Sequence, residues 1–143
     1  MINSFSGKYE FLSNFFELPV TVAGVCYRNS EAAYQSFKVM DECERLKFAD
    51  LPANKAKKLG RKVELRKDWE YIKDSVMLFV VKCKFNQNPE YIEKLLETGD
   101  EELVEGNDWG DTYWGVCNGK GINKLGEILM ILRDAYKLDR MVR

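Results

Sequence analysis

Residues 105–126 read EGNDWGDTYWGVCNGKGINKLG, and the rest of the chain is read outward from this stretch. It holds two of the three tryptophans, two aspartates and six of the ten glycines. Glycine lets another molecule come close to the backbone, and bulky rings beside it offer a face to a flat ligand. The competing reading is a surface loop with a few anchoring aromatics. After residue 121 the pattern changes to a helical one, with Ile122, Leu125, Ile128, Leu129, Leu132 and Tyr136 on one face.

The chain around it has 143 residues, enough for one ordinary domain with a substantial core, so residues 1–143 are expected to form a single domain whose tail, 137–143, frays. With 22 basic and 23 acidic residues the net charge is -1, so no global field recruits nucleic acid and bulk polyanion binding is not expected. Cys26, Cys43, Cys83 and Cys117 lie far apart with no CxxC pair, which argues against a structural zinc site and fits a reducing compartment. The apolar run 76–81 is too short to cross a bilayer, and the opening residues do not read as a signal peptide. The expectation is a cytoplasmic protein that binds no membrane. There is no histidine, which removes Ser-His-Asp and Cys-His mechanisms and most catalytic zinc sites. Acid–base chemistry must then fall to carboxylates, Tyr, Lys or Cys.

In order, residues 5–16 are aromatic-rich without helical period and read as strand or loop. Residues 19–27 alternate around Ala23-Gly24 as a short hairpin. Asn29 and Ser30 cap a helix over 31–40, on which Glu31, Gln35 and Lys38 share a polar stripe at i, i+4 and i+7. Further helices are predicted over 42–49, over 53–59 with Gly60 as the stop, and over 69–85 with Asp68 as cap. Another starts at Asn88-Pro89 and ends at Gly99. Residues 103–105 read as a short strand. The total is a helix-dominated α+β fold of about six helices with a small hairpin or sheet.

Among groups that carry chemistry, Asp111 sits inside the aromatic–glycine stretch, where neither helix pairing nor simple solvation accounts for it. Glu31 opens a helix, where an acid can serve the dipole alone. Trp114 is off any helical face and suits stacking on a base, whereas Trp69 and Phe37 read as core. Gly119 and Gly121 with Lys120, Lys124 and a helix start make the parts of a phosphate seat, without a Walker A or dinucleotide fingerprint.

Several motifs, in order, make the chain resemble the YbiA-like, or NADAR, family of N-glycosidases. They are FLSNF at 11–15, SE..YQ..K at 30–38, GR at 60–61, LRKDW at 65–69, KFNQ at 84–87, LLETG at 95–99, DTYWG at 111–115 and GINKLGEILMILR at 121–133. Ala32 stands where some members carry His, and Val116-Cys117 where some carry a more glycine-like pair. The resemblance implies hydrolysis of the C–N bond between a ribose carbon and an amine, with no metal and no cofactor. The implied substrates are small ribosylated amines: phosphoribosylaminopyrimidine intermediates of riboflavin biosynthesis or, alternatively, ADP-ribosylated guanine. It implies that Glu31 is the leading catalytic carboxylate and that Asp111, in the same pocket, is the second catalytic group, orienting the ribose or water or sharing the acid–base role. Trp114, with Tyr113 and Trp69 behind it, shapes the base site. Gly121, Asn123 and Lys124, with Lys38 and Arg61, hold phosphate or ribose oxygens. A module that binds NAD or ADP-ribose without turnover would keep the phosphate seat and Trp114 but would not need the two acids. The oligomeric state is not legible in the residues.

Overall fold

The computed structural model describes all residues, Met1–Arg143. They form two compact units, one of Asn14–Gln87 and one of Met1–Ser13 with Asn88–Arg143. The fold class is the expected helix-dominated α+β, with six α-helices, one short 3-10 helix and two two-stranded sheets.

The Asn14–Gln87 unit opens with the predicted hairpin: β1 (Val20–Val22) pairs antiparallel with β2 (Val25–Tyr27), and Ala23 and Gly24 turn it at positive φ. Gln87 ties the hairpin down, its Oε1 accepting from the Thr21 N–H at 2.8 Å and its Nε2 donating to the Thr21 carbonyl at 2.7 Å. Helices α1 (Ser30–Ser36), α2 (Glu42–Leu46), α3 (Ala53–Gly60) and α4 (Trp69–Asn86) follow. Val20, Val22, Tyr27, Ala32, Ala33, Phe48, Ala56 and Val80 make their common core. The small residues Ala32, Ala33 and Ala56 let α1 and α3 approach closely, which is what makes α1 buried along its whole length.

Helix α1 is shorter than the predicted 31–40. Asn29 caps it as expected, its side chain accepting from the Ala32 N–H at 2.7 Å. The other end tightens after Ser36, where the N–H groups of Phe37, Lys38 and Val39 donate three residues back, to Tyr34, Gln35 and Ser36. Arg66 donates from Nη1 to Phe37 and from its N–H to Lys38, and Arg45 Nε donates to Val39 at 3.1 Å. Helix α2 likewise ends at Leu46, short of 49. Gly60 does not stop α3 in a left-handed turn; it is the last helical residue, and its missing side chain has another use described below. Asp68 precedes α4 but gives no cap bond, since its carboxylate pairs with Arg66 Nε at 2.6 Å.

In the other unit residues 7–12 form the 3-10 helix, where strand or loop was expected; Phe11 and Leu12 are buried by it and Phe11 packs on Tyr91 at 5.8 Å between ring centroids. Helix α5 (Pro89–Glu97) starts with Pro in its first turn and ends into Gly99 at φ +63°, both as predicted. The predicted strand at 103–105 is reduced to a parallel bridge between Ile2 and Leu103. The strands β3 (Gly106–Asn107) and β4 (Val116–Cys117) pair in parallel just beyond it. Helix α6 (Lys124–Met141) runs through the segment expected to fray. Lys137 Nζ reaches the Gly99 carbonyl at 2.8 Å and Asp100 at 2.7 Å, and Arg140 pairs with Glu93, so the last turns are tied to α5 and the turn after it. No helix is long and apolar enough to cross a membrane.

Candidate active site

Helix α1 presents the expected polar stripe. Its first turn is anchored outside the helix, by the Glu31 N–H on the Asn14 carbonyl at 3.1 Å and by Ser30 Oγ on Asn14 Oδ1 at 2.9 Å. Glu31 is only 8% exposed, which is unusual for a carboxylate and requires partners. Gln35, one turn on, donates Nε2 to Glu31 Oε2 at 2.6 Å. The Gln35 amide lies against Gly60 of α3, where any Cβ would overlap it. Gly60 is thus a close-approach glycine: without it Gln35 could not lie flat on α3 and reach Glu31.

Lys38, on the same stripe, feels this carboxylate. Burial lowers the Lys38 pKa, the Glu31 charge opposes that, and Arg61 and Lys57 add to it. Lys38 is thus the cation that faces Glu31, and Arg61 and Lys57 lie within electrostatic reach of Lys38. Trp69 is 4% exposed and packs on Tyr34 at 5.3 Å, with the Lys38 ammonium 6.0 Å from its ring. Trp69 is both core, as its helical spacing suggested, and the wall on which Lys38 rests. Lys57 approaches the Phe15 ring at 5.7 Å. Lys57 and Gln35 escaped the list of site residues drawn from sequence, although the i, i+4 spacing of Gln35 from Glu31 was a usable signal. So did Lys84 on α4. It is 1% exposed, and burial pushes its pKa down to about 7.

The second set of residues lies in the other unit. Asp111 is half-buried, and its Oδ1 accepts from the N–H groups of Tyr113 at 3.1 Å and Trp114 at 2.9 Å. Asn107 closes the turn from the other side. Its Oδ1 takes the Asp111 N–H at 3.1 Å, and its Nδ2 reaches the Asp111 carbonyl at 2.9 Å and Glu105 Oε2 at 3.0 Å. The Tyr113 and Trp114 rings meet edge to face, 4.9 Å apart, so a bond network fixes the backbone under both rings.

The phosphate seat imagined at the start of α6 has a different use. The N–H groups of Ile122, Asn123, Lys124 and Leu125 donate to the carbonyls of Thr112, Gly115, Tyr113 and Trp114, at 2.8, 3.2, 3.0 and 3.0 Å. Four donors that could have faced an anion instead hold the Asp111 turn. Asn123 sits at φ +59° and spends both ends of its amide on the chain, taking the Glu105 N–H and giving to the Leu103 carbonyl, each at 2.9 Å. Gly121 allows the same closure, since a Cβ there would meet the Gly115 carbonyl. The Lys124 ammonium stands 3.7 Å from Glu127. Glu105 and Asn107 were inside the stretch that drew attention, but nothing in their spacing announced the contact between them. No cluster of three or more Asp, Glu or Cys side chains forms a metal cage.

A buried carboxylate facing a lysine, and a braced turn under two rings, are the parts that N-glycosyl chemistry uses. The model of the NADAR domain matches residues 3–137. The chain belongs to the NADAR family. It is 36% identical to the N-glycosidase YbiA of Escherichia coli over 141 residues, 96% of this chain and 88% of that protein. The solved NMR structure of YbiA superposes with a TM-score of 0.87 at 33% identity, covering 100% of this chain and 90% of that one. A riboflavin biosynthesis protein of Vibrio vulnificus is 41% identical over 133 residues, 89% of this chain but 35% of its own length. The family is thus that of the YbiA-like N-glycosidases.

Proposed function

We propose that this NADAR protein hydrolyses the bond between C1 of a ribose and the nitrogen of an amine, with a phosphoribosylaminopyrimidine as substrate. The observation that carries the reading is Glu31. The fold buries it, aims the Gln35 amide at it and sets the Lys38 charge, itself within reach of Arg61 and Lys57, against it. Breaking the C–N bond builds positive charge on the ribose, and a desolvated carboxylate stabilises that charge far better than one in water. The electron pair of the broken bond leaves with the amine nitrogen. Water adds to C1, and Glu31 takes its proton and passes it to the departing nitrogen, so the amine leaves neutral and the carboxylate is restored. Lys38, Arg61 and Lys57 supply charge for the 5-phosphate. Trp114 and Tyr113 seat the ring, while Asp111 keeps Oδ1 for the backbone and offers Oδ2 to a ribose hydroxyl or to water.

The substrate class draws on the name of the Vibrio relative, and the bond cleaved draws on the name of YbiA. Two substrates separate the variants of this reading. Supplied with a phosphoribosylated aminopyrimidine, the protein releases ribose 5-phosphate; supplied with ADP-ribosylated guanine, it releases little ADP-ribose. The reverse pattern moves the substrate to ADP-ribosylated bases. Tight binding of either one without product, at high enzyme concentration, makes the protein a binding module.

A further inference from the structure

We propose that Asn107 is a positioning residue for the reaction, orienting both the Asp111–Gly115 turn and the carboxylate of Glu105. This rests on the reading above that the turn receives the substrate. One amide makes four bonds: to the N–H of Asp111, to its carbonyl, to Glu105 Oε2 and, longer at 3.4 Å, to the Glu105 carbonyl. The chain on either side leaves Asn107 little freedom, because it pairs with Cys117 in the parallel β3–β4 ladder. Glu105 is fixed too, its N–H given to Asn123 Oδ1 and its carboxylate lying where Gly115 has no side chain. A Cβ at Gly115 would overlap both that carboxylate and the Glu105 carbonyl. The half-buried Glu105 is therefore not a solvated surface acid. It is delivered against the backbone of the residue following Trp114, and Asn107 is the group that sets its direction. An amide suits this task because it donates and accepts at once; a carboxylate at 107 could keep the Asp111 N–H but would face Glu105 with like charge.

The test is a swap of the two side chains, with steady-state kinetics and thermal melting on each protein. Asn107→Ala lowers kcat/KM by about 10–100-fold, as small misplacements of a binding loop do, with most of the change in kcat. Asn107→Asp lowers it further. Adding Glu105→Gln to Asn107→Asp restores one N–H···O bond between the two side chains and recovers at least about tenfold of that loss. A role limited to holding the fold would return the melting temperature without returning kcat. A folded Asn107→Ala protein with the parent's kcat/KM overturns the proposal, as does a folded double variant no more active than Asn107→Asp. If Asn107→Ala does not fold, the double variant decides alone. Asp111→Asn runs beside them, and its amide still accepts the two turn N–H bonds. If Asp111→Asn is impaired and Asn107→Ala is not, only this inference fails. If Asp111→Asn is fully active, the assignment of substrate to this turn fails, and the inference with it.

Discussion

Helix α1 and the loop at 105–126 each hold a carboxylate, and they hold it by opposite means. Glu31 is kept by side chains: Gln35 bonds it, and the Lys38 charge faces it. Asp111 is kept by backbone, its Oδ1 held by two N–H groups and its own peptide groups by Asn107. Side-chain support is adjustable, since an amide can rotate and a lysine can lose its proton. Backbone support is not, since the carbonyls of Thr112 to Gly115 are already engaged by the N–H groups of Ile122 to Leu125. The helical unit accordingly stores its cost in buried charge, and the loop stores it in tight backbone contact.

Lys84 gives the largest effect on the charge side. In the unfolded chain its pKa is near the ordinary 10.5, and in the folded protein about 7. Between those values the unfolded chain binds the extra proton, so stability rises with pH across that window, and the penalty is complete below pH 7. The full difference is about 5 kcal/mol as an upper bound on desolvation. Urea unfolding from pH 7 to 10 is expected to show this slope in the parent and a flatter line in Lys84→Met. Parallel lines would show that burial of this amine is not what the helical unit bears.

On the backbone side Gly115→Ala is expected to cost about 3 kcal/mol or more, because the new methyl overlaps the Glu105 carbonyl as well as its carboxylate. Melting would show it directly. Asn123→Gly keeps the left-handed backbone at φ +59° but loses the bonds to Glu105 and Leu103, an expected loss of about 1–3 kcal/mol. Gly60→Ala is the mildest. There the overlap is with the free end of Gln35, which can swing away, so stability falls by about 1 kcal/mol while turnover falls about tenfold as Glu31 loses its partner. A Gly60→Ala protein as unstable as Gly115→Ala would erase the distinction between the two regions.

The contrast also explains what could be read from residues alone. The stripe of Glu31, Gln35 and Lys38 was legible because a helix turns spacing into proximity. Asn29 as cap, Pro89 as start and Gly99 as stop were legible for the same local reason. Gly60 was legible as the end of α3, but its close approach to Gln35 was not, because Gln35 is distant in sequence. The α6 start was misread as an anion seat because its donors meet carbonyls about ten residues earlier, a closure that loop composition does not encode. The bonds of Arg45 and Arg66 to the carbonyls just past α1 are also invisible to local pattern.

The most direct test of the account is Glu31→Gln, assayed for release of ribose 5-phosphate from a phosphoribosylated aminopyrimidine. Gln35 can turn its Oε1 toward the new amide, so the variant is expected to melt within a few degrees of the parent. Its turnover is expected to fall by roughly 10²–10⁴. A folded Glu31→Gln protein that releases product at the parent's rate would contradict the central role given to this carboxylate.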